Sequence, residues 1–224
     1  MDEILKRLSD CVEFGKIDRE TPYPPEMKGM DGARELTREA LDMGISPNVI
    51  LDNALIPAMS VVGNKFSRNE IYVPQMLMAA KAMSGVMVHI TPFFLTGETR
   101  QKGTFIIGTV SGDLHDIGKN LVAMMIEGSG WQVIDLGVDT PAQKFIEALE
   151  QYPGAVIGLS ALLTTTMVNM KKSVEEIKKL SPATLIFIGG APVTQEYCDA
   201  IGADFYSATP QGAVEQLKKI KNNA

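Results

Sequence analysis

Five short apolar runs in the second half of the chain, each followed by a stretch of helical character, constrain the fold more than any other feature. They are "TFIIGTV", "QVIDLG", "AVIGLS", "TLIFIGG" and "ADFYS". Strands that alternate with helices imply a parallel sheet, because neighbouring parallel strands need long crossovers, and those crossovers are right-handed. Helices on both faces follow. The first half reads differently: "MDEILKRLSDCVEFG" and "ARELTREALDMG" are helical, the second stopping at Gly44, and "DRETPYPPEMKGMDG" between them carries too much Pro and Gly to be anything but a loop. "SPNVILDNALIPAMSVVGNKF" starts with Ser46 as N-cap and Pro47 at the first helical position, and Pro57 inside it predicts a kink. A fourth helix starts near "VPQMLMAAKAMSGVMVHITPFF", with Pro74 in its first turn. The expected organisation is a helical domain over 1–95, a polar linker over 96–103 ("TGETRQKG") and an α/β domain over 104–224.

Bulk properties narrow the function. A net charge of −6 with no basic stripe argues against a nucleic-acid backbone as partner. Cys11 and Cys198 form no CxxC pair and read as free thiols of a reducing compartment. The opening residues are charged and amphipathic, so no secretory signal is expected. No apolar run approaches the ~20 residues of a membrane span. The expectation is a cytoplasmic protein whose partners are proteins or small molecules.

In an open parallel sheet the ligand site lies beyond the carboxyl ends of the strands, where strand order reverses; for the order 2-1-3-4-5 that point is between strands 1 and 3. The loops to compare are therefore "SGDLHDIG", "SALLTTT", "GGAPV" and "SATPQG". Three are small or hydroxylated, leaving room for a bulky ligand near the backbone. Only the first holds ionisable side chains, including His115, one of two histidines in the chain.

Familiar uses of such a loop fail in turn. Five residues separate Gly112 from Gly118 where a Walker A loop has four, and Lys119 is followed by Asn120 instead of Ser or Thr. No GxGxxG follows the first strand. A zinc site needs three or four ligands, and His89 and His115 lie in different halves with no cysteine near. A receiver domain would place Asp after strand 3, where Ser160 stands, and no GxSxG elbow supports a Ser160–His115 nucleophile pair, though the pair itself stays open. Two readings remain for His115. It is a lone ligand to a metal cofactor that brings its own other ligands, with Asp113 fixing its tautomer and Gly118 letting the next helix start close to the cofactor; or it is a loop histidine that caps a helix and pairs with Asp116.

"GDLHDIGKN" resembles the DxHxxG motif of cobalamin-binding domains, and "GLSALLTTT" and "IFIGGAPV" are similar to that family's SxL and GG motifs, in the same order across the whole second half. "GNKFSRNEIYVPQMLMAAKAM" resembles the helical cap of methyl-transferring corrinoid proteins. The chain is thus similar to the corrinoid proteins of methylamine, methanol and O-demethylase systems and to the cobalamin-binding module of methionine synthase. The resemblance implies an N-terminal four-helix cap bundle and a five-stranded parallel Rossmann-like (flavodoxin-like) cobalamin-binding domain.

It implies further that His115 ligates cobalt in place of the cofactor's own base, backed by a relay of Asp113 and Ser160. The flanking Gly112, Leu114, Asp116 and Gly118 would line the same loop. The displaced nucleotide tail would run past Ser160, Leu162, Thr164, Gly189, Gly190 and Ala208. Phe66, Val73 and Met76 would shelter the methyl-bearing face of the corrin, although Met and Phe at helical spacing are also plain core. Asp52 stands where relatives carry a longer polar residue. His89 reads as a core or interface histidine.

The implied function is a methyl carrier that uses cobalamin or a related corrinoid, cycling between cob(I)alamin and methylcob(III)alamin. It would serve a donor-specific methyltransferase and a second methyltransferase acting on tetrahydrofolate, another pterin or a thiol, with a reductive activase to rescue oxidised cobalt. No turnover is expected of the chain alone, "LTGETRQKG" would be a hinge for the cap, and "PYPPEMKGMDGA" leans towards aromatic ether carriers. Rival readings are a cobalamin-responsive regulatory module, the small subunit of a cobalamin-dependent mutase, and a nucleotide-binding or purely structural α/β protein. A regulator would be expected to bring a basic helix-turn-helix segment, and the methyl-type cap speaks against a mutase.

Overall fold

The structure is a computed structural model that describes residues 2–95 and 102–222. The proposed linker at 96–103 falls mostly on residues outside that range. The chain divides into two compact units, one taking the helical half to residue 101 with Gly128–Gly130, the other taking the rest.

The helical unit contains α1 (Asp2–Phe14), α2 (Ala33–Asp42), α3 (Pro47–Ile50), α4 (Ile56–Ser67) and α5 (Val73–Leu95). Helix α1 packs against α2, α4 and α5, burying Leu5, Leu8 and Val12. Glu35 accepts the Gly32 N–H at 2.9 Å, half of a capping box at the start of α2. Ser46 caps α3 as expected, its hydroxyl accepting the Val49 N–H at 3.4 Å. Between α3 and α4 the backbone widens into a π turn, Leu51–Leu55, in which Ile56 N–H reaches back to Leu51 O. Pro57 explains it: without an N–H, and with its ring pressed on the carbonyl one turn back, it disfavours an α turn there, and the wider turn absorbs the strain. Asp52, exposed, sits in that turn.

Helix α5 departs from the sequence reading. Its stretch Val73–Phe93 is, by length and composition, apolar enough to cross a membrane, where no such run was expected. It packs instead against α1, α2 and α4, burying Met76, Ala79, Met83, Val86 and Ile90. The core of a helical bundle selects the same residues as a lipid interior.

In the second unit β1 (Thr104–Thr109), β2 (Gln132–Asp135), β3 (Val156–Ser160), β4 (Ile186–Gly189) and β5 (Phe205–Tyr206) alternate with α6 (Ile117–Gly128), α7 (Ala142–Gln151), α8 (Met167–Leu180), α9 (Gln195–Ile201) and α10 (Pro210–Asn222). The sheet is wholly parallel in the order 2-1-3-4-5, as the sequence predicts. The central strands β1 and β3 are buried along nearly their whole length, while β2 and β5 lie at the edges. One face packs Ile106, Ile157, Ile188, Phe145, Met170 and Val174; on the other, Phe187 stacks on Phe205 with centroids 4.6 Å apart.

Candidate functional site

Strand order reverses between β1 and β3, and there the loop after β1 meets the loop after β3. Ser160 pairs with both Thr109 and Gly189, so the ends of β1, β3 and β4 are level and their loops open on the same edge of the sheet.

Asp113 is fully buried, and its carboxylate is the centre of the site. Oδ1 lies 2.7 Å from His115 Nδ1 and accepts the His115 amide at 3.1 Å. Oδ2 accepts the amides of Leu162 at 2.8 Å and Leu163 at 3.2 Å, and the Thr166 hydroxyl at 2.8 Å. Desolvation pushes this carboxyl's pKa up, but the hydrogen bonds from Leu162, His115 and Thr166 outweigh it and hold the group well below the ordinary carboxylate range. An ionised carboxylate can only accept, so His115 Nδ1 carries a proton and the neutral ring's lone pair is at Nε2. Asp113 is inaccessible while the imidazole is half exposed. The Nε2 edge of the ring therefore faces outward.

The sequence expectation needs correction in two places. The relay runs Thr166–Asp113–His115, and Ser160, a half-buried residue at the end of β3, is not bonded to Asp113. Thr166 stands at the N-cap of α8 but makes no side-chain cap; its hydroxyl turns to Asp113, with Leu163 O as its other neighbour at 2.8 Å. The signal was a hydroxyl residue at a helix start, normally read as a cap. Nor does His115 pair with Asp116: that carboxylate takes the Asn120 side-chain amide at 3.2 Å, across the first turn of α6.

Around this group lie features that suit a flat, partly apolar ligand. Leu114, Ile117, Leu162 and Leu163 expose 72%, 67%, 43% and 42% of their surface, an unusual cluster for large aliphatic side chains. A Cβ built on Gly118 would meet nothing within 4 Å, so the start of α6 is open. Gly190 has the opposite situation: its φ is +127° and a Cβ would lie 1.8 Å from Ala161 O, so only glycine lets the loops after β3 and β4 close together. Thr164 and Ala208 lie exposed in the loops at this edge, and Gly189, partly exposed, ends β4 beside them.

Behind the loop, Lys119 is 3% exposed and pairs with Asp135 at the end of β2, its ammonium also donating to Asn120 Oδ1 at 2.6 Å. In the helical unit Phe66 and Val73 are partly exposed, whereas Met76 is fully buried. His89 is partly buried; desolvation and then the charges of Arg38 and Arg34 lower its pKa.

Among the described residues no three His, Cys, Asp or Glu side chains gather as a metal site. A metal held by His115 must arrive with its remaining ligands, as the ion of a macrocycle does, and the exposed aliphatic cluster with the open Gly118 fits the macrocycle.

Comparison with known proteins agrees with this geometry. A B12 binding domain model matches residues 103–217, and a second model of that description matches residues 30–91. Trimethylamine corrinoid protein 1 of Methanosarcina acetivorans is 38% identical over 223 residues, covering 98% of this chain and 97% of the relative. Dimethylamine corrinoid protein 2 of the same organism is 34% identical over 222 residues, covering 98% and 96%. A chain of the solved methanol:cobalamin methyltransferase complex of Methanosarcina barkeri superposes with a TM-score of 0.83 at 25% identity, covering 100% of this chain and 81% of that one.

Proposed function

Since the chain belongs to the family of B12-binding corrinoid proteins, we propose that it is the methyl carrier of a methyltransferase system. The observation that carries the reading is the buried Asp113 carboxylate on His115 Nδ1, which leaves Nε2 as an outward-facing metal ligand beside the open start of α6.

The residues divide the work. His115 would hold the cobalt of the corrinoid, Leu114, Ile117 and Gly118 would lie under the ring, and Ser160, Leu162, Thr164, Gly189, Gly190 and Ala208 would line the path of the nucleotide tail. Gly112 and Asp116 shape the loop rather than touch the metal. When bound, the corrinoid supplies a low-valent cobalt nucleophile that takes a methyl group from one partner and gives it to another.

The protein's contribution is the ligand and its proton. Nε2 can bear a metal or a proton, never both, so release of the ligand is tied to proton uptake at that atom. Asp113 keeps the ring oriented, while Thr166 and the two leucine amides keep Asp113 ionised. Phe66 and Val73 are the candidates for sheltering the opposite face of the corrin. Met76, fully buried, is assigned to the packed interior of the helical half.

A donor-specific methyltransferase is the first partner; a second methyltransferase acting on a pterin or thiol and a reductive activase complete the set, all in the cytoplasm. The relatives named for trimethylamine and dimethylamine make methylamines the donor class to assay first, ahead of aromatic ethers. The test is the visible spectrum of the chain reconstituted with cobalamin, beside His115→Ala. Bound cobalt with a spectrum that changes in the variant is expected. A parent that binds no cobalamin refutes the carrier reading, and an unchanged variant spectrum refutes the ligand assignment.

A further inference from the structure

The short segment Ser111–Gly112–Asp113 carries the whole site, because Asp113 orients His115, and within the loop one backbone bond closes it, from the Asp113 amide to Val110 O at 3.1 Å. Gly112 has φ +82°, and its amide has no partner within its own loop. Two other elements hold it. From the loop after β2, Asp139 Oδ1 accepts the Gly112 amide at 2.7 Å and the Ser111 hydroxyl at 3.3 Å, while the Asp139 amide donates to Asp113 O at 2.9 Å. From the start of α8, Asn169 Nδ2 donates to Ser111 O at 2.7 Å.

Asp139 makes this grip in a left-handed conformation, φ 49°, which an aspartate adopts at a cost and which suits it here because side chain and backbone both turn towards the same three residues. The neighbouring Thr140 continues the contact, its amide donating to Thr109 O at 2.8 Å. The loop after β2 has no other contact with Asp113 or His115 among the hydrogen bonds of the described residues, so its influence on the imidazole passes through this clamp.

We propose that Asp139 is a positioning residue for the His115 ligand, acting with Asn169 to set the 111–113 segment, and therefore Asp113, in the register that points Nε2 outward. The proposal rests on the reading of His115 as the cobalt ligand. It goes beyond the loop motif itself, since Asp139 stands 24 residues from His115, on another loop.

The test uses the whole chain with Asp139→Ala, Asp139→Asn and Ser111→Ala. Three quantities are measured: amide exchange at Gly112 in the protein without cofactor, cobalamin affinity, and the fraction of bound cob(II)alamin carrying the imidazole, read from the nitrogen splitting in its EPR spectrum. Asp139→Ala is expected to deprotect the Gly112 amide and to lower the equilibrium constant for imidazole ligation about tenfold, roughly 1.4 kcal/mol, with cobalamin affinity falling by no more than that factor, since ligation is one step of binding. Asp139→Asn keeps an acceptor for Gly112 and should recover ligation to within about threefold, whereas Ser111→Ala loses only the longer bond and should change it less than twofold.

Ligation unchanged in Asp139→Ala overturns the proposal. So does a loss of affinity that clearly exceeds the loss of ligation, because that is general damage to the site. Should Asp139→Ala not fold, Asp139→Asn decides: a ligation constant equal to the parent's with a Gly112 amide that exchanges faster overturns it, and a parallel partial loss of both supports it. A parent without nitrogen splitting would instead refute the ligand assignment on which the proposal stands.

Discussion

Replacing Thr166 by valine removes one hydroxyl, keeps the shape, and asks which residue backs Asp113. Both partners of the lost bond are inaccessible, Thr166 at 5% and Asp113 at 0%, so solvent cannot take the hydroxyl's place. A hydrogen bond to a charged group contributes about 1.5–3 kcal/mol. Two amides remain on the same oxygen, at 2.8 and 3.2 Å, so the carboxylate stays ionised and the loss falls near the lower end, about 1.5–2 kcal/mol. With a urea slope of about 2 kcal/mol/M, the midpoint should fall by roughly 0.8–1 M.

Trp131, the only tryptophan and a residue of the sheet unit, reports that unfolding by fluorescence. Asp113 has a lowered folded pKa, so its contribution is complete above the ordinary carboxylate value of about 3.9 and is lost as pH falls through the folded value. The unfolded carboxyl is the same in parent and Thr166→Val, so the gap between them should be full from pH 7 down through the ordinary carboxylate range and narrow only where the folded carboxyl itself takes up a proton, well below that range. Ser160→Ala, whose hydroxyl is not bonded to Asp113, should stay within about 0.5 kcal/mol of the parent. A Ser160→Ala variant less stable than Thr166→Val, or a gap already closed at about pH 4, would refute the assignment of Thr166 to the relay.

Three further outcomes follow from the same geometry. Gly118→Ala meets open space at the start of α6 and should raise the stability of the cofactor-free protein by up to about 1 kcal/mol, yet weaken cobalamin binding at least ~10-fold, a pairing that calorimetry and equilibrium dialysis check together. Gly190→Ala puts a methyl against Ala161 O in a backbone conformation closed to alanine, and should cost about 2–6 kcal/mol, read by denaturant unfolding. In the Lys119–Asp135 pair the lysine side chain is 2% exposed and the aspartate 41%. Asp135→Asn, which strands a buried ammonium, should thus cost about 2–4 kcal/mol, and Lys119→Met, which leaves a wetted carboxylate, about 1 kcal/mol; equal losses in urea melts would contradict that asymmetry.

Periodicity and loop chemistry along the chain were enough to determine the parallel sheet, the helix starts at Ser46 and Pro74, and His115 as the one imidazole in the loops after the strands, while the order 2-1-3-4-5, expected only as the common one for such sheets, is observed in the structure. These are local properties: a strand or a cap is written in consecutive residues, and the crossover rule carries them to a topology. Only the tertiary structure decided what Asp113 touches. Thr166 and Ser160 are hydroxyl residues at the two ends of one loop, and nothing in their spacing says which turns inward; the path of the chain between β3 and α8 does, by taking the Thr166 hydroxyl from its cap to the buried carboxylate. Asp116 and Asp113 flank the same histidine, and the choice between them falls to burial, which leaves Asp113 dry and ionised and Asp116 on the outside of α6. Asp139 and Asn169 lay further out of reach, because a side chain that holds another loop's backbone leaves no period or motif in its own. The apolar α5 likewise reads alike as a core or a membrane helix, since the hydrophobic effect rewards burial in protein and in lipid by the same surface, and only the structure shows it packed against α1, α2 and α4.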